Sequence, residues 1–227
     1  MPTRSEAEEH LRIIRSLMEK ATIYRAISAP TALVGGLCSV LFGAWLHFRW
    51  RSLPRWREAD EFDKLFICGW LGVLAVTCAA NTWFLWREAR RRGEPFISAG
   101  MRQALKCLVP PMLCGGVAAF WFAGISGSYM ILFLPVMWMI SYGLALLATA
   151  PFAPRSIPRL GWVFLLAGLV MTHAHWWFGQ IPFFGKGDHI PTAANLLMVA
   201  TFGAFHLIYA AFTWPRTASQ SDPGSMP

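Results

Sequence analysis

The sequence predicts an all-α fold: a polytopic membrane protein with six transmembrane helices preceded by an N-terminal amphipathic surface helix. Three observations predict it. Six long apolar stretches run through the chain, and none contains an aspartate, a glutamate or an arginine. The composition is 56% hydrophobic and 14% charged with a mean hydropathy of +0.43, far from that of an ordinary soluble domain. Lysine and arginine gather in the segments between the apolar stretches, as they do around membrane spans. Six spans and their loops use nearly all of the 227 residues. One transmembrane domain is therefore expected over 27–213, after a cytoplasmic amphipathic helix over 1–26 and before a disordered tail over 214–227.

The elements follow in order. Over Ser5–Ile27, Leu11, Ile14, Leu17, Met18, Ala21 and Tyr24 recur at spacings of three and four, and Glu6, Glu8 and Glu9 suit the first turn of a helix. Such a helix lies along the membrane surface and turns upward at Ser28-Ala29-Pro30. This charged opening and the absence of a cleavage pattern predict no cleavable signal peptide. The spans are Ile27–Phe48, Leu65–Trp86, Leu105–Ile125, Tyr129–Ala150, Leu160–Phe178 and Thr192–Thr213. Each has about the length that a helix needs to cross a hydrocarbon core of roughly 30 Å. Lys106 intrudes only at an end, where its stem can snorkel. Pro110-Pro111 should bend or start the third span and Pro135 should kink the fourth. Small residues at Ala32/Gly36, Ala75/Ala79, Gly115/Ala119/Ala123 and Ala200/Ala204 form ridges that allow close helix approach.

With the N-terminus inside, fourteen of the 20 basic residues fall in cytoplasmic segments and six outside. That bias places both termini in the cytoplasm, against the five basic residues of loop 49–64. Trp45, Trp50, Trp70, Trp121, Trp176 and Trp177 fall towards the outer face and Trp83, Trp86, Trp162 and Trp214 towards the inner one, as an aromatic belt would. Trp138 falls mid-span. The net charge of +8 sits beside apolar helices, so it points to lipid headgroups rather than nucleic acid. The five cysteines lie in or beside spans without CxxC spacing and read as small packing residues.

Chemistry has few carriers. No span offers the buried carboxylate that proton relays and coupling-ion sites need. His47, His175 and His189, with Asp188 and His173, gather at the outer face and could ligate zinc or copper. His173 and His175 are two apart, however, and on one continuous helix they diverge. The plainer reading pairs these side chains with loop carbonyls or headgroups. His206 shares a helical face with Phe202 and Tyr209, beside Gly203. It is a candidate haem ligand with His173 as the second histidine, although the two differ in depth by on the order of 10 Å. The default partner of His206 is a backbone carbonyl or Asn81. The loop Gly179–Pro191 carries Phe183-Phe184 between glycines and prolines and could touch a partner or rest in the headgroups.

Gly124-Ile125-Ser126-Gly127 with His206 resembles the GxSG serine and last-helix histidine of rhomboid intramembrane proteases, with Trp50-Arg51 or Trp56-Arg57 matching a first-loop feature. The resemblance implies a serine nucleophile and a histidine base. Depth opposes it, because Ser126 and His206 lie roughly 20 Å apart along the bilayer normal. Asn81 has no neighbouring histidine, and Ala204-Phe205-His206 lacks the family's glycine spacing. The segment Ser16–Gly36, SLMEKATIYRAISAPTALVGG, resembles the opening of a group of bacterial multi-spanning membrane proteins with no assigned activity. It implies a bacterial inner membrane and no function. The residues together predict no catalytic site and no definite cofactor. They predict a non-catalytic accessory or interaction subunit in the lipid bilayer, with membrane proteins as partners. A haem-, metal- or small-molecule-binding protein is the first alternative and a rhomboid-like protease the second.

Overall fold

In a computed structural model of the chain, the described residues are 8–13, 29–51, 58–93, 95–97, 99–123, 130–151, 153–178 and 190–214. Every regular element among them is helical. The long elements are α1 (Ala29–Arg51), α2 (Glu58–Arg92), α3 (Ala99–Ala123), α4 (Met130–Ala148) and α5 (Ser156–Phe178). A last rod runs without a break through α6 (Ile190–Met198), a π-helical segment (Val199–Phe205) and α7 (His206–Thr213). Residues 8–13 are helical and exposed. The rest of the expected surface helix lies outside the described residues, as do the turn at Ser28 and all but Trp214 of the expected tail.

Five helices are long and apolar enough to cross a membrane: Ala29–Arg51, Phe62–Arg92, Ile131–Ala148, Ser156–His173 and Pro191–Thr213. The third expected span falls on α3, which is not among them. That helix carries Arg102 and Lys106 near its start and takes Pro110 and Pro111 inside it rather than starting there.

The second helix differs most from expectation. It covers 35 residues rather than the stretch Leu65–Trp86, so residues 58–64 are helix instead of loop. The physical reason is at hand: Glu58, Asp60, Glu61 and Asp63 occupy first turns where acids complement the helix dipole. At about 1.5 Å per residue such a helix is ~50 Å long and outreaches a ~30 Å core. It ends at Arg90, Arg91 and Arg92, where Arg92 pairs with Glu88 one turn back. Gly93 then turns left-handed at φ +66°, its N–H donating to Arg90 O.

Close backbone approach holds the bundle together, as expected where lipid is as apolar as the side chains. A Cβ on Gly36 of α1 would lie 3.1 Å from Gly203 O of the π segment, so α1 and the last rod touch through glycine. A Cβ on Gly143 of α4 would lie 2.9 Å from Gly161 O and 2.7 Å from Leu165 N of α5. Of the small-residue ridges, Ala32/Gly36 and Gly115 are buried, whereas Ala75, Ala79 and Ala200 are exposed. The α1 helix packs on α2 and the last rod, and α4 packs on α3, α5 and α6, but α2 and α3 scarcely meet.

Two hydrophobic cores result. One joins Leu46, Phe66, Trp70, Leu134 and Met198. The other joins Met139, Leu146, Ile157 and Phe164. Trp70 is thus a core residue at 3% exposure and not a belt residue. Trp138 explains its mid-span position: it stacks on Phe66 with centroids 6.3 Å apart, and its Nε1 donates to Gly115 O at 3.0 Å. Trp45, Trp83, Trp121, Trp162 and Trp214 are at least half exposed, as rings facing lipid should be.

Candidate functional site

Between the two cores lies a cavity of about 120 Å³. Its position follows from the helices: α4 gives Leu134 to one core, Trp138, Ser141 and Tyr142 to the cavity and Leu146 to the other core. The α1 helix contributes Gly35 and Ser39, α2 Trp70, Leu71, Val73, Leu74 and Thr77, α3 Met112, Gly115 and Gly116, and the last rod Met198, Phe202 and His206. Most of the lining is apolar. Its polar groups are hydroxyls, two indoles and one imidazole; neither a carboxylate nor a lysine or arginine lines it. Buried charge needs a partner charge or water, so such a space suits an uncharged guest.

His206 anchors one wall. It is 9% exposed, and its Nδ1 lies 2.9 Å from Phe202 O while its Nε2 lies 2.8 Å from Tyr142 Oη. A carbonyl can only accept, so Nδ1 carries the proton and Nε2 is free to accept from the tyrosine. No carboxylate lines the cavity beside this ring. At the end of the π segment His206 N–H goes to Gly203 O, three residues back, while Phe202 O takes the side chain. Phe164, Phe202 and Tyr142 surround the imidazole with ring centroids 5.4, 6.2 and 5.5 Å away.

Two further hydroxyls complete the site. Ser39 and Ser141 are 2% and 5% exposed and line the cavity from α1 and α4. Among the described residues neither has a hydrogen-bond partner, unlike Thr77, whose Oγ1 donates to Val73 O at 2.8 Å. A cavity is therefore provided with two donors that can also accept.

No protein family, curated protein or solved structure matches this chain. Function rests on the site itself.

The other sequence-predicted residues are scattered. His47 sits partly exposed on α1 against the ring of Phe48, and His173 is exposed on α5. Phe164 is level with His206, so His173, nine residues on, lies ~13 Å further along its helix. The His175 side chain, Asp188, His189, Phe183-Phe184 and the Gly124–Gly127 motif lie outside the described residues. Among the described residues no group of three or more His, Cys, Asp or Glu could hold a metal. Asn81, a candidate partner for His206, instead accepts from Thr31 Oγ1 at 3.1 Å.

Sequence reasoning found His206 and its carbonyl partner and missed Tyr142, Ser39 and Ser141. The available signal was weak: Ser141-Tyr142 is an adjacent polar pair midway along an otherwise apolar span.

Proposed function

We propose that this chain is an integral membrane protein with six crossings that binds a small uncharged molecule inside its bundle and does no chemistry on it. One observation carries the reading: a largely apolar cavity presents the Ser39 and Ser141 hydroxyls without protein partners. Pockets that combine apolar walls with a few convergent polar groups are the usual form of a small-molecule site. The Tyr142–His206 pair acts as a fixed polar wall, with the tyrosine oxygen still able to accept. We take α3 as the third crossing; the basic bias supports both termini in the cytoplasm, and the resemblance of Ser16–Gly36 supports a bacterial inner membrane.

The test is binding of 4-fluorobenzyl alcohol to the protein in phosphatidylcholine nanodiscs, read by fluorine NMR saturation transfer. A saturable component should appear in wild type and vanish in Ser141→Leu, which fills the cavity. Only non-saturable partitioning, equal in empty discs, refutes the reading.

An accessory-subunit role is favoured by a separate feature. On α2, away from the cavity, Cys68, Gly72, Ala75, Ala79 and Thr82 are exposed at spacings of four and three. The exposed residues of α5 are instead large, with Leu166, Leu169 and Val170 among them. Small residues on a near-heptad spacing suit a packed helix better than lipid. Light scattering of purified protein should then give a mass above that of one chain, reduced by Ala75→Leu/Ala79→Leu. A monomer unaffected by the substitutions removes this role.

A further inference from the structure

The cavity is unevenly walled. Its lining from α1 and the last rod includes Gly35, Ser39, Met198 and His206, all buried. Its lining from α2 and α3 is partly open: Leu74 is 40% exposed, and Leu71, Thr77, Met112 and Gly116 are half-buried. A Cβ on Gly116 would meet nothing within 4 Å. With α2 and α3 scarcely touching, the cavity reaches the outside through the gap between them.

On α2 that gap lies midway along a helix of membrane-spanning length, and with α3 taken as the third crossing it faces acyl chains and not water. Leu113 and Val117 beside it are 61% and 64% exposed, a surface fit for hydrocarbon. A guest arriving there comes from the lipid phase. Inside, it meets Ser39 of α1 and Ser141 of α4, unpartnered hydroxyls, and no charged side chain. A group that stays neutral yet offers lone pairs or a hydroxyl proton satisfies them, and a charged headgroup does not. The 120 Å³ interior holds a polar end and a short length of chain, and the remainder must trail through the gap into the bilayer.

We propose that the ligand is a neutral, chain-bearing lipid-phase molecule with a hydroxyl or carbonyl end, which enters between α2 and α3 and is held at Ser39 and Ser141. The inference rests on the cavity being a binding site and adds the class of guest and its route.

The experiment uses a long-chain primary alcohol carrying a diazirine close to its hydroxyl, with the full chain in phosphatidylcholine nanodiscs. After irradiation, mass spectrometry should place adducts on cavity-lining positions such as Met112, Trp138 and Tyr142. Excess unlabelled long-chain alcohol should suppress them. Gly116→Phe should abolish them by filling the gap, in a place where the added side chain strains nothing. Ser39→Ala/Ser141→Ala, which removes only two oxygens, should weaken labelling roughly tenfold. The same chain ending in a quaternary ammonium should not label these positions. Adducts confined to lipid-facing α5, or cavity adducts indifferent to Gly116→Phe, overturn the proposal, and so does equal labelling by the cationic probe. If 4-fluorobenzyl alcohol binds saturably while the chain alcohol labels no cavity residue, the site stands and the lipid-phase guest falls. If neither binds, both fall.

Discussion

The Tyr142–His206 hydrogen bond can be weighed by a double-mutant cycle. The two groups come from helices 64 residues apart in sequence and meet at 2.8 Å. Tyr142→Phe removes one oxygen and leaves Nε2 without a donor. His206→Leu removes that partner and also strips the side-chain donor from Phe202 O. Side-chain hydrogen bonds within membranes average about 0.6 kcal/mol and reach about 1.7 kcal/mol. The short distance and the surrounding rings of Phe164 and Phe202 place this one in the upper half of that range. Tyr142→Phe should therefore cost about 1 kcal/mol and His206→Leu about 2 kcal/mol, with the second bond accounting for the difference. The double variant should cost about 1 kcal/mol less than the sum, since the shared bond is lost only once. Unfolding by sodium dodecyl sulfate in dodecylmaltoside micelles, followed by circular dichroism, measures all four forms. His206→Gln, which keeps a donor and an acceptor, should recover most of the loss. Single costs that add to within about 0.3 kcal/mol would show that the two groups do not interact.

Three other expectations test other parts of the account. Gly143→Leu drives a side chain into the backbone of Gly161 and Leu165 and should destabilise by about 1–3 kcal/mol in the same titration, whereas Gly116→Leu should stay within about 0.5 kcal/mol; similar losses at both would contradict the close approach of α4 to α5. Reporter fusions at Pro227 and within 179–190 should report opposite sides of the membrane, and a shared side would remove a crossing. Ser126 should not react with a fluorophosphonate probe, because both nitrogens of His206 are already engaged by Tyr142 and Phe202; labelling lost in Ser126→Ala would reverse that assignment.

Hydropathy made much of the fold legible, because a long apolar run without carboxylates has few alternatives to a helix of membrane-spanning length. Five of the expected stretches coincide with such helices. The 49–64 region misled because its mixed charges looked like a loop, while acids at a helix start are stabilising and extend α2 back to Glu58. Trp70 misled for a different reason. Depth along a span says nothing about which side of the helix faces the core, and Trp70 points inward onto Phe42 and Phe66. The π segment was invisible because its hydrogen-bond register leaves no mark in residue polarity. His206 could be singled out as the one histidine deep in a span. Its partner Tyr142 could not, because only the packing of α4 against the last rod brings them together.

The central claim is that a space inside this bundle is open to an uncharged guest. A crystal grown in a lipid mesophase and pressurised with xenon tests it directly, since xenon occupies apolar cavities of this size. The account predicts an anomalous peak bounded by Ser39, Ser141 and Phe202, absent in Ser141→Leu. Side chains collapsed into that volume, with xenon bound only along the lipid-facing surface, would contradict it.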